Sequence, residues 1–278
     1  MSLALKALLK ELLPPIVVKA CRQRTHDGFW GNYSSWQEAQ QLTSGYDSAG
    51  ILEKVKQASL KVKNGEAVYE RDSVLFNQIH YSFPILASLL RVAVENQGKL
   101  SVLDFGGSLG SSYYQCRDFL SDLTELRWNV VEQKNFVDCG KQFFEDESLK
   151  FFVDIEKCLA VEQPQIVLLS SVLQYLEKPY DFLEQLIQYK FPYLLFDRTA
   201  FVETGGDRLT IQKVSPTIYP ASYPAWFFHL NRFLECFKGN YEMIVQFDSL
   251  AGLIELRNPG QNARDMGFLF QKGGEKWI

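Results

Sequence analysis

Residues 100–112, LSVLDFGGSLGSS, constrain the fold more than any other stretch of this 278-residue chain. An apolar run (Leu100, Val102, Leu103) ends in Asp104. Gly106, Gly107, Gly110 and small residues then lead into an amphipathic segment, 113–123. This is the pattern of a buried strand turning sharply into a helix. Glycine permits the tight turn and close backbone approach, and the helix start presents free N–H groups. At the carboxyl end of the first strand of an open α/β sheet, such a turn is a site for a nucleotide-like ligand.

The spacing selects among ligands. A dinucleotide turn, G-x-G-x-x-G counted from Gly106, requires glycines where Ser108 and Ser111 stand. A phosphate-cradling loop ends in Gly-Lys-Ser/Thr, and Gly110-Ser111-Ser112 has no lysine. The stretch does fit D-x-G-x-G-x-G, with Ser108 in place of the middle glycine. In this it resembles the first motif of the class I S-adenosylmethionine-dependent methyltransferases. The resemblance implies S-adenosyl-L-methionine as cofactor, its amino-acid end held by Asp104, Gly106, Gly107, Ser108 and Gly110. That end carries an ammonium, which an acidic strand tip attracts and which a pyrophosphate lacks. A second acidic residue is expected on the next strand tip, accepting hydrogen bonds from the ribose hydroxyls. Glu132, followed by Gln133, ends the apolar run 126–131, 22 positions after Gly110.

Composition narrows the class. With 46% hydrophobic and 22% charged residues, the chain can bury a sizeable core. A net charge of −4 and no Lys/Arg run longer than two argue against a nucleic-acid partner. The five cysteines (Cys21, Cys116, Cys139, Cys158, Cys236) are odd in number and lack a C-x-x-C, as expected in a reducing cytoplasm. His26, His80 and His229 are too dispersed to suggest zinc, so no metal is expected.

Along the chain, residues 1–20 read as a leucine-rich helix broken at Pro14-Pro15. It is too short and too charged to span a bilayer and lacks a cleavage site. It suits packing on the domain or on a second copy of the chain, or alternatively a peripheral contact with a membrane surface. Residues 22–49 are polar and aromatic, and read as a lid or a packed arm. Helices are expected over 51–62 and 74–94, the second broken at Pro84. From residue 101 strands and helices alternate: strands at 101–105, 127–132, 149–153, 165–170 and 191–197, with helices between. The long connection 200–225 is expected as a loop, followed by a helix over 226–237, a strand over 241–247 and a last, antiparallel strand over 266–271. The expectation is a doubly wound, mostly parallel seven-stranded α/β sheet, residues 77–278, with an N-terminal helical extension, 1–76, and a substrate-side insertion near 198–226.

In the methyltransferase pattern, Asp154 and Ile155 follow the third strand where the adenine is bound, although Asp154 equally suits a helix cap. Ser170 and Ser171 end the fourth strand beside the cofactor, with Gln174 and Tyr175 beyond them toward the substrate. Gln174-Tyr175 stands where many small-molecule members carry a histidine pair, which removes the obvious base. Asp197-Arg198 ends the fifth strand as a substrate contact or as a structural ion pair. Asp197, His80 and His229 are the candidate bases, and either histidine could equally be a packing residue. Tyr219, Tyr223 and Trp226 would wall a pocket for a ring-shaped or sugar-like acceptor.

The whole chain resembles more closely a little-characterised group of bacterial methyltransferases associated with surface-polysaccharide biosynthesis. Gly45-Tyr46-Asp47, Arg71-Asp72-Ser73, Leu103-Asp104-Phe105-Gly106-Gly107, Asp197-Arg198-Thr199 and Tyr223-Pro224-Ala225-Trp226 carry that likeness. It implies a small-molecule acceptor, a sugar or nucleotide-sugar. The alternative is a catalytically silent or regulatory protein on the same fold.

Overall fold

The computed structural model describes residues 27–44, 48–215, 218 and 221–273. The helix expected over 1–20, Gly45-Tyr46-Asp47 and Tyr219 lie outside the described residues. In chain order the elements are β1 (Gly28–Tyr33), α1 (Trp36–Gln41), α2 (Ser48–Lys63), β2 (Tyr69–Arg71), β3 (Val74–Phe76), α3 (Phe83–Glu95), β4 (Lys99–Phe105), α4 (Ser111–Leu120), β5 (Glu125–Val131), α5 (Lys134–Phe143) and β6 (Leu149–Phe152). Then follow α6 (Ile155–Leu159), β7 (Ile166–Ser170), a 3-10 turn (Leu173–Tyr175), α7 (Pro179–Gln188), β8 (Tyr193–Val202), β9 (Arg208–Lys213), β10 (Ser222–His229), α8 (Leu230–Glu235), β11 (Tyr241–Arg257) and β12 (Gln261–Lys272).

The apolar runs of the middle of the chain make β6-β5-β4-β7-β8, five parallel strands in that spatial order. Strands covered on both faces read as near-continuous hydrophobic runs, and Val102, Leu103, Val167 and Leu168 are fully buried. One face packs on α3 and α4 through Leu89, Val92, Trp128 and Phe151. The other packs on α7 and α8 through Leu183, Leu186, Phe233 and Phe237.

Beyond β8 the architecture departs from the expected one. Antiparallel β12 and then β11 follow, but the sheet continues through β1 and β9 to β10, ten strands in all. β10 then pairs back onto β8, Phe228 with Phe201 and His229 with Val202. Six strands, β8-β12-β11-β1-β9-β10, thus close a barrel onto the end of the parallel sheet. Closure removes exposed edges from a strand-rich region. The interior packs Ala200, Val202, Phe227, Leu256 and Ala263 with Phe29.

Several local expectations are corrected. The connection 200–225 is not a loop: β8 runs on to Val202, and β9 and β10 are barrel strands. The stretch 226–237 is strand to His229 and helix only from Leu230. β1, in the stretch read as a lid, pairs with both β9 and β11. Residues 74–76 form a hairpin with β2, and Pro84 opens α3 in its first turn rather than kinking it, where its missing N–H is harmless. Among the described residues, no helix is long and apolar enough to cross a membrane.

Candidate active site

The glycine turn sits at the carboxyl end of β4, between β5 and β7. Gly106 (φ +71°) donates its N–H to the Val131 carbonyl at 2.9 Å, tying the turn to β5. Ser108, in the position of the motif's middle glycine, has φ +55°, a left-handed conformation that costs a side-chain-bearing residue about 1 kcal/mol or more. That explains why glycine is the ordinary choice there. Gly110, φ +91°, starts α4.

Under this turn lies Asp104. It is 1% exposed, and its carboxylate accepts one side-chain hydrogen bond, from Trp128 Nε1 at 3.0 Å. Gly107 covers it so closely that a Cβ there would stand 2.5 Å from Asp104 Cγ. Burial pushes Asp104 up to about 7; the indole N–H pulls it down, and the nearby Glu132 charge raises it further. Glu132 follows β5, half-buried, and takes the Gln133 N–H at 2.7 Å. Burial raises its pKa too, against the backbone N–H groups of Gln133 and Ser108. In the β4–β5 register Asp104 opposes Val130, so Glu132 lies two residues further along the neighbouring strand, at the same edge. Two adjacent acids beside a turn without lysine or arginine favour a cation and repel a pyrophosphate.

The other sequence candidates separate into two groups. Ser170, Ser171, Gln174, Tyr175, Asp197, Arg198 and Tyr223 gather around the end of β7 and the middle of β8, where Ser170 pairs with Asp197. Asp197, 3% exposed, accepts Ser170 Oγ at 3.1 Å and Ser249 Oγ at 2.8 Å. The Ser171 N–H donates to the Asp197 carbonyl, and Gln174 Nε2 donates to the Arg198 carbonyl at 2.9 Å. Gln174 Oε1 is buried without a hydrogen-bond partner among the described residues. The Tyr175 hydroxyl donates to Gln212 Oε1 at 2.7 Å, and its ring meets Tyr223 edge-on at 5.3 Å.

The remaining candidates stand elsewhere or already have partners. Asp154 caps α6, accepting Lys157 N–H at 2.6 Å, and Ile155 is buried behind it. Trp226 stacks on Trp36 at 6.5 Å against Leu209 and Ile211. His80 is exposed with its ring edge-on to Phe76. His229 pairs with Val202, five residues past Asp197 and so about 16 Å along β8, which separates it from the strand tips.

Sequence reasoning passed over part of the site. The β2–β3 hairpin folds against the start of α4, so Tyr69 and Arg71 line a narrow cavity with Ser111, Ser170, Asp197 and Arg198. Glu70, 2% exposed, accepts the Ser111 hydroxyl and the Ser73 N–H, and burial raises its pKa. Asp265 on β12 is 5% exposed. It is pushed up to about 7 by burial and the Asp197 charge, against Arg198 and Arg71. A buried acid next to an apolar strand run was the available signal for Asp265; nothing local in the sequence brings the hairpin to the sheet.

No family model matches the chain, and no curated protein matches it. Among solved structures, it is similar to the N-terminal domain of EvdMO1, solved with S-adenosylhomocysteine and D-fucose: 10% identity, 82% of this chain and 97% of that one, TM-score 0.44. It is also similar to human N-acetylserotonin methyltransferase with S-adenosylmethionine: 16% identity, 82% and 58% covered, TM-score 0.46. A third is the Burkholderia thailandensis 1,6-didemethyltoxoflavin-N1-methyltransferase with its substrate and S-adenosylhomocysteine: 12% identity, 83% and 92% covered, TM-score 0.40.

Proposed function

We propose that this chain is an S-adenosylmethionine-dependent methyltransferase acting on a small molecule. The observation that carries the reading is the pair of neighbouring strand-tip acids, Asp104 beneath the glycine turn and Glu132 beside it. The cofactor supplies, when bound, a methyl group on a sulfonium that is displaced without prior activation. Asp104 would hold the ammonium, Glu132 with Gln133 the ribose hydroxyls, and the backbone of 106–110 the chain between. Ser170 and Ser171 border the reacting end, and Ile155 with residue 154 borders the base.

The acceptor belongs over β7 and β8. Ser170, Gln174, Tyr175 and Tyr223 make a polar and aromatic wall there, with the buried Gln174 Oε1 lacking a hydrogen-bond partner among the described residues, suited to a polar acceptor such as a sugar or nucleotide-sugar. The protein's work is alignment and exclusion of water. Where the acceptor is a hydroxyl, its proton can pass to Asp197 through Ser170 Oγ, which already donates to Asp197 Oδ2.

Calorimetry with S-adenosylhomocysteine tests the site. Asp104→Asn and Glu132→Ala should each weaken binding at least about tenfold, the loss of one charge-assisted contact, while the circular dichroism spectrum stays unchanged. Wild-type affinity in both variants would overturn the assignment.

A further inference from the structure

The cavity beside the glycine turn holds two guanidinium groups whose outer donors are unused. Asp197 does not occupy Arg198. Its two carboxylate oxygens take the Ser170 and Ser249 hydroxyls, and the Arg198 Nε stands 3.8 Å from Asp197 Oδ2, beyond hydrogen-bond reach. Arg198 Nε instead donates to Ser170 Oγ at 3.2 Å, and the Arg198 backbone N–H donates to Ser249 Oγ. Among the described residues, neither Nη group of Arg198 has a hydrogen-bond partner, although the side chain is only 22% exposed. The backbone holds this residue at φ +48°, a conformation an arginine adopts only when its surroundings impose it. Arg71 reaches the same cavity from the β2–β3 hairpin. Its guanidinium lies 5.6 Å from the Phe76 ring, and its donors too have no hydrogen-bond partner among the described residues.

We propose that Arg71 and Arg198 form a clamp for an oxyanion of the methyl acceptor, so that the acceptor is a small molecule bearing a carboxylate or phosphate. A planar fork of unused donors matches a carboxylate or phosphate in two-point geometry, and two such forks line the same cavity. The clamp's place favours the acceptor over the cofactor. The cofactor's acidic anchors stand at the ends of β4 and β5, whereas Arg198 lies within β8, with β7 between, about 10 Å across the sheet. Asp197, in the same wall, orients a neutral donor on the acceptor and leaves the lining one positive charge in excess. Asp72 and Asp265 also act on Arg198, and neither takes a hydrogen bond from it. This assignment rests on the methyltransferase reading for what the bound molecule is, and on the cavity alone for its charge.

Thermal melts of the full chain, saturated with S-adenosylhomocysteine, test it with benzoate and phenyl phosphate as probes and benzyl alcohol as the neutral control. A ligand that binds only the native state raises the melting midpoint. Wild type should rise by a few degrees with at least one anion and not with the alcohol. Arg71→Met and Arg198→Lys should abolish that rise and leave the S-adenosylhomocysteine shift intact. The lysine variant keeps the charge among the neighbouring acids, so it folds while losing the fork. No anion response in wild type, or an undiminished response in both variants, overturns the clamp. So does a variant that loses the S-adenosylhomocysteine shift but keeps that of 5′-methylthioadenosine, because the arginines would then be holding the cofactor's own carboxylate. If wild type ignores S-adenosylhomocysteine altogether, the methyltransferase reading fails, and the same anion titration without it still decides the clamp.

Discussion

Asp104 shows what residue spacing reveals and what only burial decides. Its place at a strand tip before the glycines is legible in the sequence; its protonation is not, because that depends on Trp128 and Gly107 closing over it. With burial raising it to about 7 from an ordinary 3.8, Asp104 is protonated in the folded chain where the unfolded chain has already lost that proton. Between about pH 4 and 7 the native state therefore binds more protons, and this group's contribution to stability falls as pH rises. Cofactor binding has the opposite sign, since an ammonium requires the ionised carboxylate. Affinity for S-adenosylhomocysteine should fall about tenfold per unit below pH 7 and level off above it. Asp104→Asn should flatten both profiles, in melts from pH 4.5 to 8 and in calorimetry at pH 5.5 and 7.5. Equal wild-type affinity at those two values would contradict the assignment. Where His80 and His229 stand was not legible for a related reason: nothing about a lone imidazole in a sequence says which surface it will face.

At the scale of elements, the parallel half was readable because each strand is an apolar run closed by a turn signal, as in Val102-Leu103-Asp104-Phe105-Gly106. Of the barrel half, the strands expected over 241–247 and 266–271 fall within the antiparallel pair β11–β12, but β1, β9 and β10 were not legible. β10 carries Pro224, which argues against a strand, yet it pairs with Ile211 at one side of a closed sheet. The β2–β3 hairpin turns through Asp72 and Ser73, both at positive φ, without the glycine or asparagine that announces such a turn. The strand–turn–helix unit around Gly107 yields a sharper expectation. A methyl there meets the Asp104 carboxyl at 2.5 Å, and Asp104 is itself held by the indole. Gly107→Ala should weaken S-adenosylhomocysteine binding at least about tenfold and lower stability by about 1–2 kcal/mol, a small overpacking cost. Gly260→Ala, where a Cβ meets nothing within 4 Å, is the control and should leave calorimetry and melting unchanged. If Gly107→Ala binds like its control, the turn does not depend on that close approach.

At the scale of the molecule, closing the barrel joins segments far apart in the chain, and one buried cation does much of the joining. Arg208, 3% exposed, donates from Nε to the Gly31 carbonyl at 2.9 Å, from Nη1 to Gln261 Oε1 at 3.1 Å, and from Nη2 to the Arg257 and Pro259 carbonyls at 3.0 and 2.8 Å. It thereby ties β9 to β1 near one end of the described chain and to the β11–β12 turn near the other. Among the described residues no carboxylate contacts it; four neutral acceptors carry the charge, and burial lowers its pKa by disfavouring the cation. Arg208→Met would remove four hydrogen bonds to part-buried acceptors, at a cost of about 2 kcal/mol or more. Lysine cannot rescue it, since a single ammonium cannot span four acceptors set around a planar fork. Arg264, half-exposed and paired with Glu203 at 3.3 Å, provides the comparison: Arg264→Met should cost no more than about 0.5 kcal/mol. Urea unfolding followed by tryptophan fluorescence measures both, and equal midpoints for the two variants would mean that strand pairing alone, without the cation, holds the barrel shut.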